Sequence, residues 1–126
     1  MSKKSTLLFT LTLAIILGAF GAHGLKNLVS LDKIESFKTG VLYHLIMSLA
    51  LLVVRFSADF SSSKIAAIRW VFVGMCLFSG SIYLLVFNAI FQLPINAFIG
   101  PITPIGGVLM IVGWLNLGWL YFKQGE

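Results

Sequence analysis

Residues 70–122 read WVFVGMCLFSGSIYLLVFNAIFQLPINAFIGPITPIGGVLMIVGWLNLGWLYF, a stretch without a single Asp, Glu, Lys or Arg. A helix needs about 20 apolar residues to cross the hydrocarbon core of a bilayer. The stretch is therefore too long for one crossing and has the length of two crossings joined by a tight turn. The segment FQLPIN at 91–96 combines Pro94 with amide side chains, which is typical of such a turn. We predict helices at about 69–90 and 101–122.

Two further apolar segments precede this stretch. The first follows a pair of lysines and predicts a helix at about 5–23, and the second predicts a helix at about 39–55. The first segment also has the basic start and apolar middle of a signal peptide. Because three more apolar segments follow it, we interpret it as an uncleaved helix. Ser30 and the charged residues after it are compatible with a short interfacial helix before the second span.

Composition supports a membrane protein. Hydrophobic residues make up 59% of the chain, charged residues only 10%, and the mean hydropathy is +1.01, whereas a soluble domain carries about a quarter of its residues as charges. The single cysteine, Cys76, excludes an intramolecular disulfide. The predicted fold is an all-α integral membrane antiparallel bundle of four transmembrane helices, forming one transmembrane domain over residues 1–126.

Basic residues are distributed unevenly between the two ends of the predicted bundle. Short loops rich in Lys and Arg remain in the cytoplasm. We therefore predict a multi-pass protein of the plasma (inner) membrane with both termini cytoplasmic. The two sets are Lys3, Lys4, Arg55, Lys64, Arg69 and Lys123 at the end that holds the termini, and Lys26, Lys33 and Lys38 at the other.

Small residues at helical spacing predict where the helices pack, because close backbone approach drives helix association in lipid. The predicted packing residues are Ala14, Gly18 and Ala22 in the first helix, Gly74 and Ser81 in the third, and Gly106 and Gly113 in the fourth. Several aromatic side chains are then left for lipid or a partner subunit, namely Phe72, Phe78, Phe87, Trp114 and Trp119.

Polar residues gather toward the end of the predicted bundle that is opposite the termini. Such residues are costly in a membrane and often mark functional sites. The two histidines are compatible with metal or proton binding, with Glu35 as a further ligand. They are also compatible with hydrogen bonds that tie each helix end to a neighbouring backbone carbonyl or hydroxyl. No metal-ligand spacing motif is present, so we assign no metal ligands. The candidate ligand-binding residues are His23, Tyr43, His44, Ser48, Asn88 and Thr103.

The predicted spans lack the groups that most membrane enzymes and proton-coupled transporters need. None contains Asp or Glu, and the sequence has no phosphate-binding loop, nucleophile elbow or zinc-protease motif. We therefore predict no catalytic residues, no cofactor and no enzymatic activity.

Four segments together resemble a known family, the bacterial DUF423 (UPF0382) membrane proteins. These segments are GAFGAHGL at 18–25, TGVLYHLIMSLALL at 39–52, FSGSIYLL at 78–85 and GPITPIGG at 100–107. The resemblance covers nearly the whole chain and implies a four-helix inner-membrane protein without an established activity. Transmembrane protein 256, a small mitochondrial protein, looks like a eukaryotic relative.

Two functions are compatible with these observations. The first is a non-enzymatic membrane protein that binds a membrane lipid, a small apolar ligand or a membrane protein partner, which includes a second copy in a homo-oligomer. The second is a transport or metal-handling protein that uses the histidine-containing polar end. We prefer the first, because small-residue packing positions are present and catalytic sets are absent. Membrane orientation and contact with anionic lipid headgroups explain the net charge of +5, so we predict no nucleic-acid partner.

Overall fold

A computed structural model of the chain describes residues 3–57 and 61–125, without the side chains of residues 96 and 97. Each of the four long helices in these ranges is long and apolar enough to cross a membrane. This confirms the predicted fold class, an all-α integral membrane bundle in which successive long helices run antiparallel. The helices are α1 (Lys4–His23), α2 (Leu31–Phe56), α3 (Ser62–Phe91), the short α4 (Asn96–Ile99) and α5 (Ile102–Lys123).

Two helices begin earlier than the predicted spans. The α2 helix starts at Leu31 rather than at 39, so the residues assigned to a separate interfacial helix form its first turns. The α3 helix starts at Ser62 rather than at 69. Charged residues set the predicted bounds, but side chains such as Asp32 and Lys38 are exposed and leave the backbone helical. At 1.5 Å per residue, the 26 residues of α2 extend about 39 Å, more than the hydrocarbon core of about 30 Å.

Local signals fix the helix ends around α3. The Ser61 hydroxyl accepts a hydrogen bond from the backbone N–H of Lys64, as an N-cap residue does. At the other end, Gln92 adopts a left-handed conformation with φ of 53° and closes the helix. Pro94 then prevents the helix from continuing, and α5 begins directly after Pro101.

The long helices pack in the order α1, α2, α3, α5. The α3 helix is central, with α2 against one side and α5, its most extensive contact, against another. In the described residues, the backbones of α2 and α5 do not approach each other. A groove therefore stays open between α2 and α5 over the surface of α3.

The two ends of the bundle differ in charge. We call the end where α1 and α3 begin and α2 and α5 end the basic end, and the opposite end the distal end. At the basic end, Lys64 is buried, its ammonium donates to the Gln124 side chain at 2.7 Å and it lies 4.0 Å from the centre of the Tyr121 ring. This lysine therefore joins the start of α3 to the end of α5.

In the part of the chain that the structure describes, two apolar clusters form the core. The cluster nearer the basic end consists of Leu7, Leu51, Leu52, Ile68, Val71, Phe72, Met75 and Met110. The cluster nearer the distal end consists of Leu25, Ile34, Phe37, Val41, Tyr83 and Val86. Phe72, predicted to face lipid or a partner subunit, is thus a core residue, since only 8% of it is exposed.

Glycines set the distance between α3 and α5. A Cβ added at Gly74 would lie 2.6 Å from the backbone nitrogen of Met110, and one added at Gly113 would lie 2.8 Å from that of Val71. Such distances leave no room for a side chain, so the two backbones are in direct contact. Gly106 lies in the same seam, and a Cβ added there would lie 2.7 Å from the Gly74 carbonyl oxygen.

The seam of α1 has a different period from the predicted one. Its buried residues are Leu7, Ala14 and Gly21, seven positions apart, the spacing typical of nearly antiparallel helices. Gly18 lies beside this seam, where an added Cβ would be 3.1 Å from a Val41 methyl carbon. Ala22, predicted within the seam from four-residue spacing, is exposed.

Candidate functional site

The six predicted ligand-binding residues lie in different parts of the bundle. His44, Ser48 and Asn88 are buried, whereas His23 is exposed at the end of α1. Thr103 is half-buried and hydrogen-bonds to Ser81 between α3 and α5. Tyr43 is 40% exposed and points to the α5 side of α2. The structure therefore does not join these residues in one site.

The two histidines are far apart along the membrane normal. His44 shares a cavity with Thr10 of α1, and His23 lies 13 residues further along that helix, which corresponds to about 20 Å. Among the described residues, no group of three His, Cys, Asp or Glu side chains could hold a metal ion. The geometry therefore provides no shared metal site for His23 and His44.

His44 belongs to a polar layer between the two apolar clusters. Its Nδ1 lies 3.0 Å from the Tyr83 hydroxyl, at hydrogen-bond distance. One turn away, the Ser79 hydroxyl donates to the Gly40 carbonyl at 2.7 Å. Both bonds join α2 to α3 inside the membrane, where an unsatisfied polar group is expensive. The arrangement fits the interpretation that His44 ties helices together.

A small cavity of about 250 Å³ adjoins the polar layer between α1, α2 and α3. The Ser48 hydroxyl lies next to it and contacts the Met75 sulfur at 3.5 Å. The thiol-bearing Cys76 is exposed at the same place. The cavity is lined by Thr10, Leu13, His44, Met75, Cys76, Ser79, Gly80 and Tyr83.

A groove between α2 and α5 has a volume of about 800 Å³, more than three times that of the cavity beside His44. We call it the α2–α5 groove. Its lining is almost wholly apolar, and residues at its rim, such as Ile111 and Leu115, are 60% and 69% exposed. The groove residues are Tyr43, Met47, Phe78, Gly107, Met110, Ile111, Trp114, Leu115, Gly118, Trp119 and Phe122.

Aromatic side chains shape the α2–α5 groove along its length. At the distal end, the rings of Tyr43 and Phe78 lie with centroids 4.8 Å apart. Halfway along, the Trp114 indole N–H donates to the Met47 sulfur at 3.1 Å and crosses from α5 to α2. At the basic end, Trp119 stacks on Phe122 with centroids 5.6 Å apart.

Sequence reasoning did not identify this groove. Phe78, Trp114 and Trp119 were predicted to face lipid or a partner, but Met47 and the glycines at 107 and 118 were not singled out. Positions 107, 111, 114, 118 and 122 share one face of α5. Since α5 is apolar on all faces, hydropathy does not distinguish this face, and only the gap between α2 and α5 does.

Comparison with known proteins gives one consistent result. The model of the family described as "Protein of unknown function (DUF423)" matches residues 17–107. The UPF0382 membrane protein YwdK of Bacillus subtilis is 42% identical over 108 residues, which cover 83% of each chain. A UPF0382 membrane protein of Haemophilus influenzae is 37% identical over 112 residues, which cover 87% of this chain and 85% of the relative.

The relatives extend beyond bacteria. A UPF0382 membrane protein of Schizosaccharomyces pombe is 35% identical over 114 residues, which cover 83% of this chain and 88% of the relative. No solved structure matches the chain. The family match and the identity over most of both chains confirm the resemblance seen in the sequence. The chain belongs to the DUF423 (UPF0382) family of membrane proteins.

Proposed function

We propose that this protein is a non-enzymatic membrane protein whose α2–α5 groove binds the acyl chain of a membrane lipid. The observation that supports this proposal is an apolar groove of about 800 Å³ between two transmembrane helices whose backbones do not touch. Small-molecule sites have volumes of about 300–1,000 Å³ and are mostly apolar. Because the rim residues are exposed on the membrane-spanning part of α5, a lipid can enter sideways from the bilayer.

The shape of the groove favours a linear occupant. On α5 it extends from Gly107 to Phe122, which at 1.5 Å per residue is about 22 Å. One leaflet contributes about 15 Å of hydrocarbon. The groove is therefore longer than the hydrocarbon depth of one leaflet, so an acyl chain that lies parallel to the helices fits within it and can contact the Phe78 and Trp114 rings along its course.

Two glycines keep the groove wide. A Cβ added at Gly118 would have no neighbour within 4 Å, and one at Gly107 would meet only the Phe78 ring, at 3.8 Å. These positions differ from Gly74 and Gly106, where an added Cβ would collide with backbone. Gly107 and Gly118 therefore bring no helices together and instead leave volume that a ligand can fill.

The polar groups of the groove support binding rather than catalysis. They are the Tyr43 hydroxyl and the indole N–H groups of Trp114 and Trp119, and the Trp114 N–H already donates to a sulfur. A nucleophile next to a base, the usual requirement for covalent catalysis, is missing from the residues described as lining the groove.

We infer that the protein lies in the plasma (inner) membrane with its basic end, and so both termini, in the cytoplasm. The excess of Lys and Arg at that end supports this orientation. A membrane-impermeant thiol reagent tests it on intact cells, with cysteines introduced singly into a Cys76→Ser chain. Lys26→Cys should react and Gly125→Cys should not, and the reverse pattern would invert the assignment.

Filling the groove tests the lipid proposal. Gly107→Leu and Gly118→Leu place a side chain in the groove, and Gly80→Leu is the matched control, since an added Cβ there has no neighbour within 4 Å and Gly80 lines the opposite cavity. The measurement is native mass spectrometry of protein purified in mild detergent with its cellular lipids. Wild type and Gly80→Leu should retain a lipid at one copy per chain, and the two groove variants should lose it.

Two results would contradict the lipid proposal. The first is a wild-type protein that carries no lipid in several mild detergents. The second is equal lipid retention in all four proteins, which would locate the lipid elsewhere. A lipid-free dimer that the groove variants convert to monomer would assign the groove to a second copy instead.

A further inference from the structure

A second, polar pocket continues the line of the α2–α5 groove at the distal end. Its volume is about 290 Å³. On each helix it occupies the turn next to the groove: Thr39 comes four residues before Tyr43, and Thr103 comes four residues before Gly107. We call it the Lys33 pocket, and its lining consists of Lys33, Ser36, Thr39, Ile82, Leu85, Val86 and Thr103.

Two side chains of the Lys33 pocket have donors for a ligand. The Thr39 hydroxyl already donates to the Glu35 carbonyl at 3.1 Å. The Ser81 hydroxyl donates to backbone, so its hydrogen bond with Thr103 uses the Thr103 proton. The Lys33 ammonium and the Ser36 hydroxyl have no hydrogen bond or ion pair with the described residues. These groups suit an acceptor ligand with negative charge.

The charge around the pocket favours an anion. Lys33 is half-buried, and none of the described residues that line the pocket is acidic. Its neighbours Asp32 and Glu35 are exposed, and residues one or two positions apart on a helix do not face each other. The pocket also adjoins the first turns of two long helices, where the helix dipole adds positive potential.

We propose that the Lys33 pocket binds the phosphate of an anionic phospholipid whose acyl chain lies in the α2–α5 groove, an inference that rests on the proposed function. Measured from Gly107, where the groove begins, the hydrocarbon depth of one leaflet, about 15 Å, corresponds to about ten residues of α5. The headgroup then lies at the interface, and the chain passes the Trp114–Met47 contact and ends near Gly118. Because none of the described residues that line the pocket is acidic, the cationic nitrogen of a choline or ethanolamine headgroup would lack an ionic partner there.

The test is competition between headgroups with identical acyl chains. Delipidated protein is mixed with equimolar palmitoyl-oleoyl phosphatidylglycerol and phosphatidylcholine, and native mass spectrometry gives the ratio retained. Lys33→Gln removes the charge, Lys33→Arg keeps it, and Lys38→Gln is the matched control on the α1 side of the same helix. Circular dichroism verifies that each variant is folded.

Wild type, Lys33→Arg and Lys38→Gln should retain about fivefold more phosphatidylglycerol, the equivalent of about 1 kcal/mol for one lysine and an anionic lipid. Lys33→Gln should retain both lipids about equally, with total retention nearly unchanged. Equal retention of both headgroups by wild type overturns the headgroup inference and leaves the groove proposal intact. Equal loss of preference in Lys38→Gln also overturns it, since general surface charge then suffices.

Two further outcomes distinguish the groove proposal from the headgroup inference, and a lipid phosphate from free inorganic phosphate. A wild-type protein that retains neither lipid defeats the groove proposal and the headgroup inference together. Excess inorganic phosphate should not displace the lipid, because it lacks an acyl chain. Release of the lipid by inorganic phosphate would instead identify a site for the free anion and overturn the inference.

Discussion

Replacing Gly106 by alanine should separate α3 from α5. An added Cβ at this position would lie closest to the Phe78 backbone nitrogen, and it would also lie 2.7 Å from the Gly74 carbonyl oxygen and 2.9 Å from Phe78 Cα. All three neighbours are backbone atoms, which cannot rotate away as a side chain can. An ordinary contact begins at 3.4 Å, so the helices must move apart by at least the difference from 2.7 Å, which is 0.7 Å.

The cost follows from the contacts that this movement weakens. The dispersion energy of one atom pair in contact is about 0.1–0.2 kcal/mol. A gap of about 0.5–1 Å between the two atoms removes about a quarter to a half of that energy. If about 40 pairs across the seam are affected, as around one buried side chain, the loss is about 2 kcal/mol. This agrees with the cost of overpacking in protein cores, about 1–3 kcal/mol.

The assay is reversible unfolding in mixed micelles with increasing SDS, followed by circular dichroism. Gly118→Ala is the matched control on the same helix, because an added Cβ there has no neighbour within 4 Å. Gly106→Ala should lower the free energy of unfolding by about 2 kcal/mol, and Gly118→Ala should change it by less than about 0.5 kcal/mol. Equal stability of Gly106→Ala and wild type would refute direct backbone contact at this crossing.

Two further predictions use the same unfolding assay. Gly18→Leu should lower the free energy of unfolding by about 1–3 kcal/mol, because even its Cβ would lie 3.1 Å from the Val41 side chain. Ala19→Leu, at an exposed position, is the control. Equal stability of the two variants would show that Gly18 faces lipid. Tyr83→Phe removes the hydroxyl that lies 3.0 Å from His44 Nδ1. It should lower the free energy of unfolding by about 0.6 kcal/mol, the average for a hydrogen bond between membrane helices, and by at most about 1.7 kcal/mol. An unchanged free energy of unfolding would contradict a structural role for this bond.

The architecture was predictable because a bilayer requires apolar spans of about 20 residues, and such spans, with charged residues between them, are visible in the sequence. The turn near Pro94 and the helix count depend only on length and hydropathy, and both agree with the structure. Helix bounds were less predictable, since exposed charges such as Asp32 tolerate a continuous helix. The glycines of the fourth span were recognisable as packing positions, but two neighbours, Gly106 and Gly107, face a seam and a groove respectively.

The candidate site was less predictable than the fold. Polarity directed attention to His23 and His44, yet one is exposed and the other bonds within the bundle. The α2–α5 groove arises from the separation of two helices, which depends on how α3 orients both of them. Because nearly every face of these helices is apolar, the hydropathy pattern of a single sequence does not predict this separation.

The packing order has a consequence for how the protein is made. Each long helix after α1 packs against the long helix that precedes it in the chain, and the most extensive contact, between α3 and α5, forms last. During synthesis, α1 meets α2, the resulting hairpin receives α3, and α5 arrives last on a surface that is already present. We therefore expect each new helix to find its neighbour already in the membrane, and a ribosome-bound chain that ends after α3 to lack the most extensive helix contact of the bundle.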